Sequence, residues 1–253
     1  HHPSPTTHCP LPTAHYPPPT ARFSLLIYSR THYSPQRSAR NPICPSTRLP
    51  MHPCLIDGYT SFAVPLTGLK TGTNLLAIRV ESFGSNSRWY AGAGLFRPVS
   101  LLGHPAVHVA TAGGVYVTTP RVDLLTPDGT AASATVAVNI SVHNDQSVKA
   151  DVSAKVQLFE DDTGKLIATK QLVVGNVPAG DNRSAIINFE LSHVWTWGPS
   201  SPKLYRAAVT LQPGSDVEVV MFGVRSFSFN ATHGLVLNGQ RVKMYGGCVH
   251  HDK

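Results

Sequence analysis

The sequence predicts an all-β protein of 253 residues. Short segments of alternating apolar and polar residues predict strands, turn-forming residues separate them roughly every 10 to 20 residues, and no segment shows the helical apolar period of about 3.6 residues. A hydrophobic fraction of 42% and a charged fraction of 14% are typical of a folded globular chain. No apolar run approaches the ~20 residues that a membrane helix needs, so we expect no membrane partner.

Residues 1–56 differ in composition from the rest of the chain. They hold twelve of the 21 prolines and six of the 13 histidines. Because proline removes the backbone donor that helices and sheets need, we expect an irregular segment in which only residues 23–28 (FSLLIY) could form a short strand. We interpret the segment as a disordered head or an artefact of gene prediction, with an organelle transit peptide as the alternative.

The net charge of +7 is concentrated in the same segment. Residues 1–56 hold five of the 21 Lys and Arg and none of the 14 Asp and Glu, so the remaining 16 cations nearly balance the acids. Nucleic-acid binding needs basic residues clustered on folded structure, and this distribution argues against that class of partner. The four cysteines show neither the spacing of a disulfide framework nor that of a zinc ribbon, so the compartment stays open.

A strand pattern begins after residue 56. Apolar residues alternate over 59–66, turn-forming residues follow at 71–74, and residues 75–80 (LLAIRV) predict a buried strand. We therefore expect residues 57–104 to belong to a β-sheet domain.

Residues 105–228 show the strand pattern most clearly. About seven or eight strands over roughly 120 residues are typical of an immunoglobulin-like β-sandwich. In three of these strands every second residue is apolar, and we expect the apolar set to face the core. The three sets are Val136, Val138, Ile140 and Val142, then Ile187, Phe189 and Leu191, and then Val217, Val219 and Met221.

The last segment, residues 229–253, predicts a β-hairpin. Asn238 and Gly239 stand between two apolar triplets. Both central residues of a type I′ turn need positive φ, which Asn and Gly tolerate best. The hairpin is expected over residues 234–245.

Four motifs occur in an order that resembles glycoside hydrolase family 2, which includes β-galactosidases, β-glucuronidases and β-mannosidases. They are residues 74–101 (NLLAIRVESFGSNSRWYAGAGLFRPVSL), 195–205 (WTWGPSSPKLY), 222–227 (FGVRSF) and 234–252 (GLVLNGQRVKMYGGCVHHD). The resemblance covers residues 57–253 and leaves the head unmatched. Within the family, the sequence around residues 246–252 is most similar to β-galactosidase-like members.

The resemblance implies three domains, of which two are incomplete. Residues 57–104 would be the C-terminal part of a jelly-roll sugar-binding domain, residues 105–228 an immunoglobulin-like sandwich, and residues 229–253 the opening hairpin of a truncated catalytic TIM barrel. Family members are retaining hydrolases of O-glycosidic bonds that use two Glu on barrel strands. Both would lie beyond Lys253, so the resemblance predicts accessory domains without catalytic residues, inactive as they stand.

The resemblance also implies sugar-binding residues. His250 matches the family histidine that faces the bound sugar, and Trp89 with Arg88 could reach the same site, since aromatic faces stack on sugar rings. We expect no cofactor and no metal: the cluster at residues 248–252 comes from one short segment and cannot supply tetrahedral geometry. The acids at 160–162 are expected to be solvated loop charges.

One function from a different class stays open. A stand-alone carbohydrate-binding or protein-interaction β-sandwich would need no barrel. For the whole enzyme the expected partner is a β-galactoside-type carbohydrate. The identity of the sugar, the oligomeric state and the localisation are left open by the sequence.

Overall fold

The computed structural model describes residues 22–28, 61–66, 69, 71, 74–75, 99–214 and 216–247. These residues form sixteen strands and no helix, which confirms the predicted all-β fold. Over the same residues, no helix has the length and apolar character to cross a membrane.

The first sheet has three antiparallel strands, β1 (Arg22–Tyr28), β2 (Ser61–Leu66) and β3 (Val99–His104), in the order β2-β1-β3. The predicted short strand at 23–28 is thus confirmed, and it lies at the centre of this sheet. Strand pairing therefore joins residues 22–28 to residues 61–66 and 99–104. Of the predicted buried strand at 75–80, only Leu75 is described, and it is 96% exposed and lies outside any strand.

Two larger antiparallel sheets follow. Their strands are β4 (Val107–Val109), β5 (Val115–Leu125), β6 (Thr130–Asn144), β7 (Ala150–Glu160), β8 (Leu166–Val177), β9 (Asn182–Trp195), β12 (Tyr205–Gln212) and β13 (Val217–Phe222). In one sheet, β6 pairs with β9 along one edge and with β4 and then β5 along the other edge. In the second sheet, the order is β13-β12-β7-β8. A two-stranded ribbon of β10 (Trp197–Gly198) and β11 (Ser201–Pro202) lies between β9 and β12.

The two sheets enclose one hydrophobic core. The predicted inward set of β6 is confirmed, because all four of its apolar residues are 0% exposed. In β9, Phe189 and Leu191 are buried and Ile187 is partly buried, as expected. Burying one such aliphatic or aromatic side chain stabilises the fold by about 1.5 to 3 kcal/mol, so this core supplies most of the driving force for folding.

The prediction for β13 was wrong. Val217, Val219 and Met221 are 54%, 51% and 60% exposed, and Phe222 with the partly buried Val220 faces the core instead. β13 is an edge strand whose facing is set by its partner β12, in which Tyr205 and Ala207 are buried. Phe222 lies opposite Tyr205 and Val220 opposite Ala207, and residues directly opposite each other share a face of the sheet.

The last described strands form a small sheet of β14 (Phe227–Asn230), β15 (Gly234–Leu237) and β16 (Gln240–Arg241). Asn238 and Gly239 have φ values of 48° and 75° and join β15 to β16. Both values are positive, as a type I′ turn requires, so the predicted hairpin turn is confirmed. The paired strands end at Arg241, short of the predicted limit at 245.

Candidate functional site

The three predicted sugar-binding residues, His250, Trp89 and Arg88, lie outside the described residues, as does the cluster at 248–252. Their proposed roles remain predictions. The site that the structure does describe is built from other residues of the same sequence motifs.

Three of the four motifs meet at one junction between the sandwich and the hairpin sheet. Trp197 belongs to the motif at 195–205, Val224 and Ser226 to the motif at 222–227, and Asn238 to the motif at 234–252. The Trp197 amide donates to the Val224 carbonyl at 2.8 Å, and Asn238 Nδ2 donates to the Trp197 carbonyl at 2.9 Å. The Asn238 amide also donates to the Ser226 carbonyl at 2.8 Å, and the Ser226 amide donates to Asn238 Oδ1 at 2.9 Å.

The close approach of Trp197 depends on Gly223. A Cβ at residue 223 would lie 2.6 Å from Trp197 Cβ and 2.8 Å from its Cγ, which is too close for any real contact. Arg225 lies over the aromatic groups of this junction, with its guanidinium 4.9 Å from the Trp197 ring and 5.9 Å from the Phe227 ring. A cation at this distance from a ring is attracted by the negative face of the π system. The junction is therefore held by packing as well as by hydrogen bonds.

Strand β5 binds the segment at residues 223–226, which connects β13 to the hairpin sheet. Thr119 Oγ1 donates to the Arg225 carbonyl at 2.7 Å. The register between β5 and β6 shifts between Thr118 and Arg121, and the intervening Pro120 has no amide hydrogen to donate. The bond from the Thr119 side chain to Arg225 thus lies at this irregularity of the ladder.

An open cleft of about 540 Å³ lies beside the junction. Tyr116, Met221 and Phe227 line it and are 60% to 63% exposed, and Trp197 and Arg225 are also among its lining residues. Aromatic faces with one guanidinium suit packing against a protein surface or a sugar ring. None of its described lining residues is Asp or Glu, so the described part of the cleft offers no carboxylate for acid-base or nucleophilic chemistry.

Of the acids at 160–162, only Asp162 is an exposed loop charge as predicted, whereas Glu160 ends β7 and both it and Asp161 are partly buried. Asp161 pairs with Arg206 at 3.0 Å and Asp162 pairs with Lys203 at 2.8 Å. The hydrogen bond from Lys203 lowers the pKa of Asp162, because it stabilises the ionised carboxylate. A general acid needs the opposite shift, so Asp162 is not suited to that role.

Sequence reasoning missed a second cluster, in which His104, His108 and Asp145 come together. The His104 and His108 rings stack with centroids 3.6 Å apart, and the His143 ring meets His108 edge-on at 5.5 Å. Burial, with the neighbouring His104 as a smaller cause, lowers the pKa of His108 to about 4. The available signal was the pair of short motifs 104–108 (HPAVH) and 143–145 (HND), which only the folded chain brings together.

Comparison with known proteins places the sandwich in a family. The chain is 33% identical over 201 residues to the β-galactosidase BoGH2A of Bacteroides ovatus and 26% identical over 198 residues to a putative β-glucuronidase of Formosa agariphila. These matches cover 77% and 76% of this chain but only 22% and 17% of the relatives, so the chain spans about a fifth of their length.

A glycosyl hydrolase family 2 member from Bacteroides cellulosilyticus has the same fold, with a TM-score of 0.71 at 24% identity over 92% of this chain and 30% of its own. The family described as Glycosyl hydrolases family 2 matches residues 115–225, which run from the start of β5 through Trp197 to Arg225 at the junction. The part of this chain that the family matches, residues 115–225, belongs to glycosyl hydrolases family 2.

Proposed function

We propose that this chain is the accessory, non-catalytic part of a family 2 glycoside hydrolase that acts on β-linked galactosides. The convergence of three motifs on one junction carries the proposal, because it ties the sandwich to a hairpin that leads onward along the chain. The name of the Bacteroides ovatus relative supports a galactoside. The glucuronidase names among the other relatives make a β-glucuronide the rival substrate.

The sandwich is proposed to be immunoglobulin-like, as the sequence predicted for residues 105–228. Its division into a β5-β6-β9 sheet and a β8-β7-β12-β13 sheet supports this assignment. So does Tyr205, a buried residue at the start of β12 whose hydroxyl donates to the Trp195 carbonyl at 3.2 Å. A tyrosine at this corner that bonds to backbone upstream is typical of immunoglobulin-like domains.

The flanking parts are proposed to be the end of a jelly-roll domain at residues 57–104 and the opening hairpin of a TIM barrel at residues 229–253. Four apolar side chains on or beside the hairpin support a covering partner. Phe227, Phe229, Met244 and Tyr245 are 62%, 67%, 70% and 83% exposed. Apolar groups exposed together in this way are usually covered by another surface, and a barrel that follows the hairpin would cover them.

Hydrolysis with retention needs two carboxyl groups about 5 to 5.5 Å apart. We assign both to the barrel of the whole enzyme and none to this chain. In that enzyme His250, Trp89 and Arg88 are proposed to contact the sugar. The role of the present chain is to position the barrel through the junction at Trp197 and Asn238.

The test compares two proteins on aryl β-galactosides and aryl β-glucuronides. One is the 253-residue chain, and the other is the product of its transcript read beyond Lys253. We expect no turnover by the chain, and galactoside hydrolysis by a longer product that carries a barrel. Turnover by the 253-residue chain would contradict the assignment of catalysis to the barrel. If the longer product hydrolysed aryl β-glucuronides faster than aryl β-galactosides, the proposed substrate would change to a β-glucuronide.

The open cleft favours one alternative, a stand-alone carbohydrate-binding module, because Tyr116, Trp197 and Phe227 offer aromatic surface there. Calorimetric titration of the chain with galacto-oligosaccharides separates the two functions. Binding that is lost in Trp197→Ala and retained in an exposed-tyrosine control, Tyr245→Ala, would favour the module. An absence of binding favours the accessory role.

A further inference from the structure

Two histidines and an aspartate meet where the three-stranded sheet joins the sandwich. His104 ends β3, His108 lies in the middle of β4, and Asp145 follows β6. One potential ligand atom from each residue lies within 4.8 Å of the other two. The pairing of β4 with the end of β6 produces this meeting, because it places His108 directly opposite His143, two residues before Asp145.

His108 is the least solvated member of the cluster. It is 3% exposed, and its Nδ1 is buried and has no hydrogen-bond partner. In native structures nearly all buried polar atoms have a hydrogen-bond partner, so an unpaired one requires an explanation. A bound metal ion is one such explanation. The unprotonated nitrogen of a neutral imidazole is a good ligand for metal ions.

The other two ligands are oriented by neighbouring groups. His104 Nδ1 lies 3.2 Å from the Pro105 carbonyl; when that nitrogen donates its hydrogen there, the lone pair is on Nε2. Metal-binding histidines usually donate their other ring hydrogen to a carbonyl or carboxylate in this way. His143 Nε2 lies 3.3 Å from Asp145 Oδ1 and His143 Nδ1 lies 2.8 Å from Asn182 Oδ1; when Nε2 carries the ring hydrogen, His143 orients the aspartate.

We propose that His104, His108 and Asp145 bind a first-row divalent metal ion and that the ion clips the end of β3 to the sandwich. Two imidazoles with one carboxylate suit Zn²⁺ and Co²⁺, whereas Ca²⁺ and Mg²⁺ need six or more oxygen ligands. Three protein ligands leave a fourth position for water. Binding separates the stacked His104 and His108 rings so that their lone pairs converge on the ion.

The clip acts on a connection that is otherwise short. Only Pro105 and Ala106 separate β3 from β4. The Asp145 amide already donates to the Ala106 carbonyl at 2.7 Å, so backbone bonding and the ion hold the same turn. The ion would therefore fix the direction in which the first sheet leaves the sandwich.

The test is calorimetric titration of the full 253-residue chain with ZnCl₂, with MgCl₂ as the ion control. The variants are His108→Phe, which keeps an aromatic ring in the buried position, and Asp145→Asn, which keeps the size of the side chain. The matched control is His233→Gln, an exposed histidine of the hairpin sheet. All other histidines and cysteines are common to these proteins, so the difference between them isolates the cluster.

We expect wild type and His233→Gln to bind one Zn²⁺ at the cluster. In both cluster variants the affinity for this ion should fall by at least about 100-fold. Loss of an outer partner alone costs about 10 to 100-fold, so His143→Phe should give an intermediate value. Zn²⁺ should also raise the unfolding temperature of wild type and of the His233→Gln control but not that of the cluster variants.

Asp145→Asn keeps the test decisive if His108→Phe does not fold, because the Asp145 side chain is 23% exposed and its backbone bond is unchanged. Equal Zn²⁺ stoichiometry and affinity in wild type and Asp145→Asn would overturn the proposal. No glycosidase activity enters the measurement, so the result is independent of the function proposed above.

Discussion

Asn238 is predicted to be the main attachment of the hairpin sheet to the sandwich. Its side chain donates to the Trp197 carbonyl and accepts from the Ser226 amide, and its φ of 48° is one that Asn tolerates better than Ala. Asn238→Gly removes both side-chain bonds and relieves the backbone. Asn238→Ala removes the same bonds and adds the left-handed strain.

The magnitudes follow from these differences. Two hydrogen bonds of about 1 kcal/mol each give about 2 kcal/mol for Asn238→Gly. The left-handed conformation of a residue with a Cβ adds about 1 to 2 kcal/mol for Asn238→Ala. Asn238→Asp keeps the acceptor and loses the donor to Trp197, so it should cost at least as much as one bond. The expected order of hairpin stability is wild type, Asp, Gly, Ala.

Amide hydrogen exchange is the appropriate assay because the loss is local. A change of about 2 kcal/mol should speed exchange in peptides covering β14 to β16 by roughly 30-fold. Peptides from β6, in the core, serve as the internal control and should not change. Equal exchange of the hairpin in wild type and Asn238→Gly would refute the attachment through Asn238.

Two further predictions concern the sandwich. Burial raises the pKa of Tyr205 to about 12, so its stabilising contribution is complete below its unfolded value of about 10 and is lost as the pH rises from 10 to 12, by about 2 to 3 kcal/mol. In urea unfolding, Tyr205→Phe should be about 1 kcal/mol less stable than wild type at pH 8, and this difference should shrink or reverse above pH 10; a constant difference would contradict the burial argument. Gly223→Ala should lower the unfolding temperature by several degrees, since its Cβ would overlap Trp197 and overpacking costs about 1 to 3 kcal/mol. Gly198→Ala, which meets no atom within 4 Å, is the matched control, and an equal effect of the two changes would exclude the overlap as the cause.

Local patterns of the sequence predicted those features of the fold that depend only on residues close together in the chain. The alternation in β6 identified four core residues, and Asn238 with Gly239 identified the hairpin turn, because period two and positive φ are properties of short segments. Strand β13 shows the limit of this reasoning. It carries valine on both faces, so alternation could not choose between Val219 and Val220, and the register with β12 made the choice.

The two sites failed to appear in the sequence for a related reason. The junction joins Trp197 to Asn238, and the histidine cluster joins His108 to Asp145, across strand pairings that no short segment encodes. The resemblance did identify the motifs at 195–205, 222–227 and 234–252 separately. That they converge on one another is a property of the fold alone.

The histidine cluster lies at the end of strand β6, whereas the bond from Asn238 to Trp197 lies toward its start, so the sandwich separates the two sites. Asp145 follows the last residue of β6, whereas the first residue, Thr130, pairs with Trp195, two residues before Trp197. β6 has 15 residues, and its 14 steps of about 3.4 Å give the whole strand a length of roughly 48 Å. Changes so far apart that share no partner usually add within about 0.5 kcal/mol. Asn238→Gly should therefore leave Zn²⁺ affinity unchanged, and Zn²⁺ should leave hairpin exchange unchanged; coupling in either direction would mean that the core of the sandwich transmits the change between its ends.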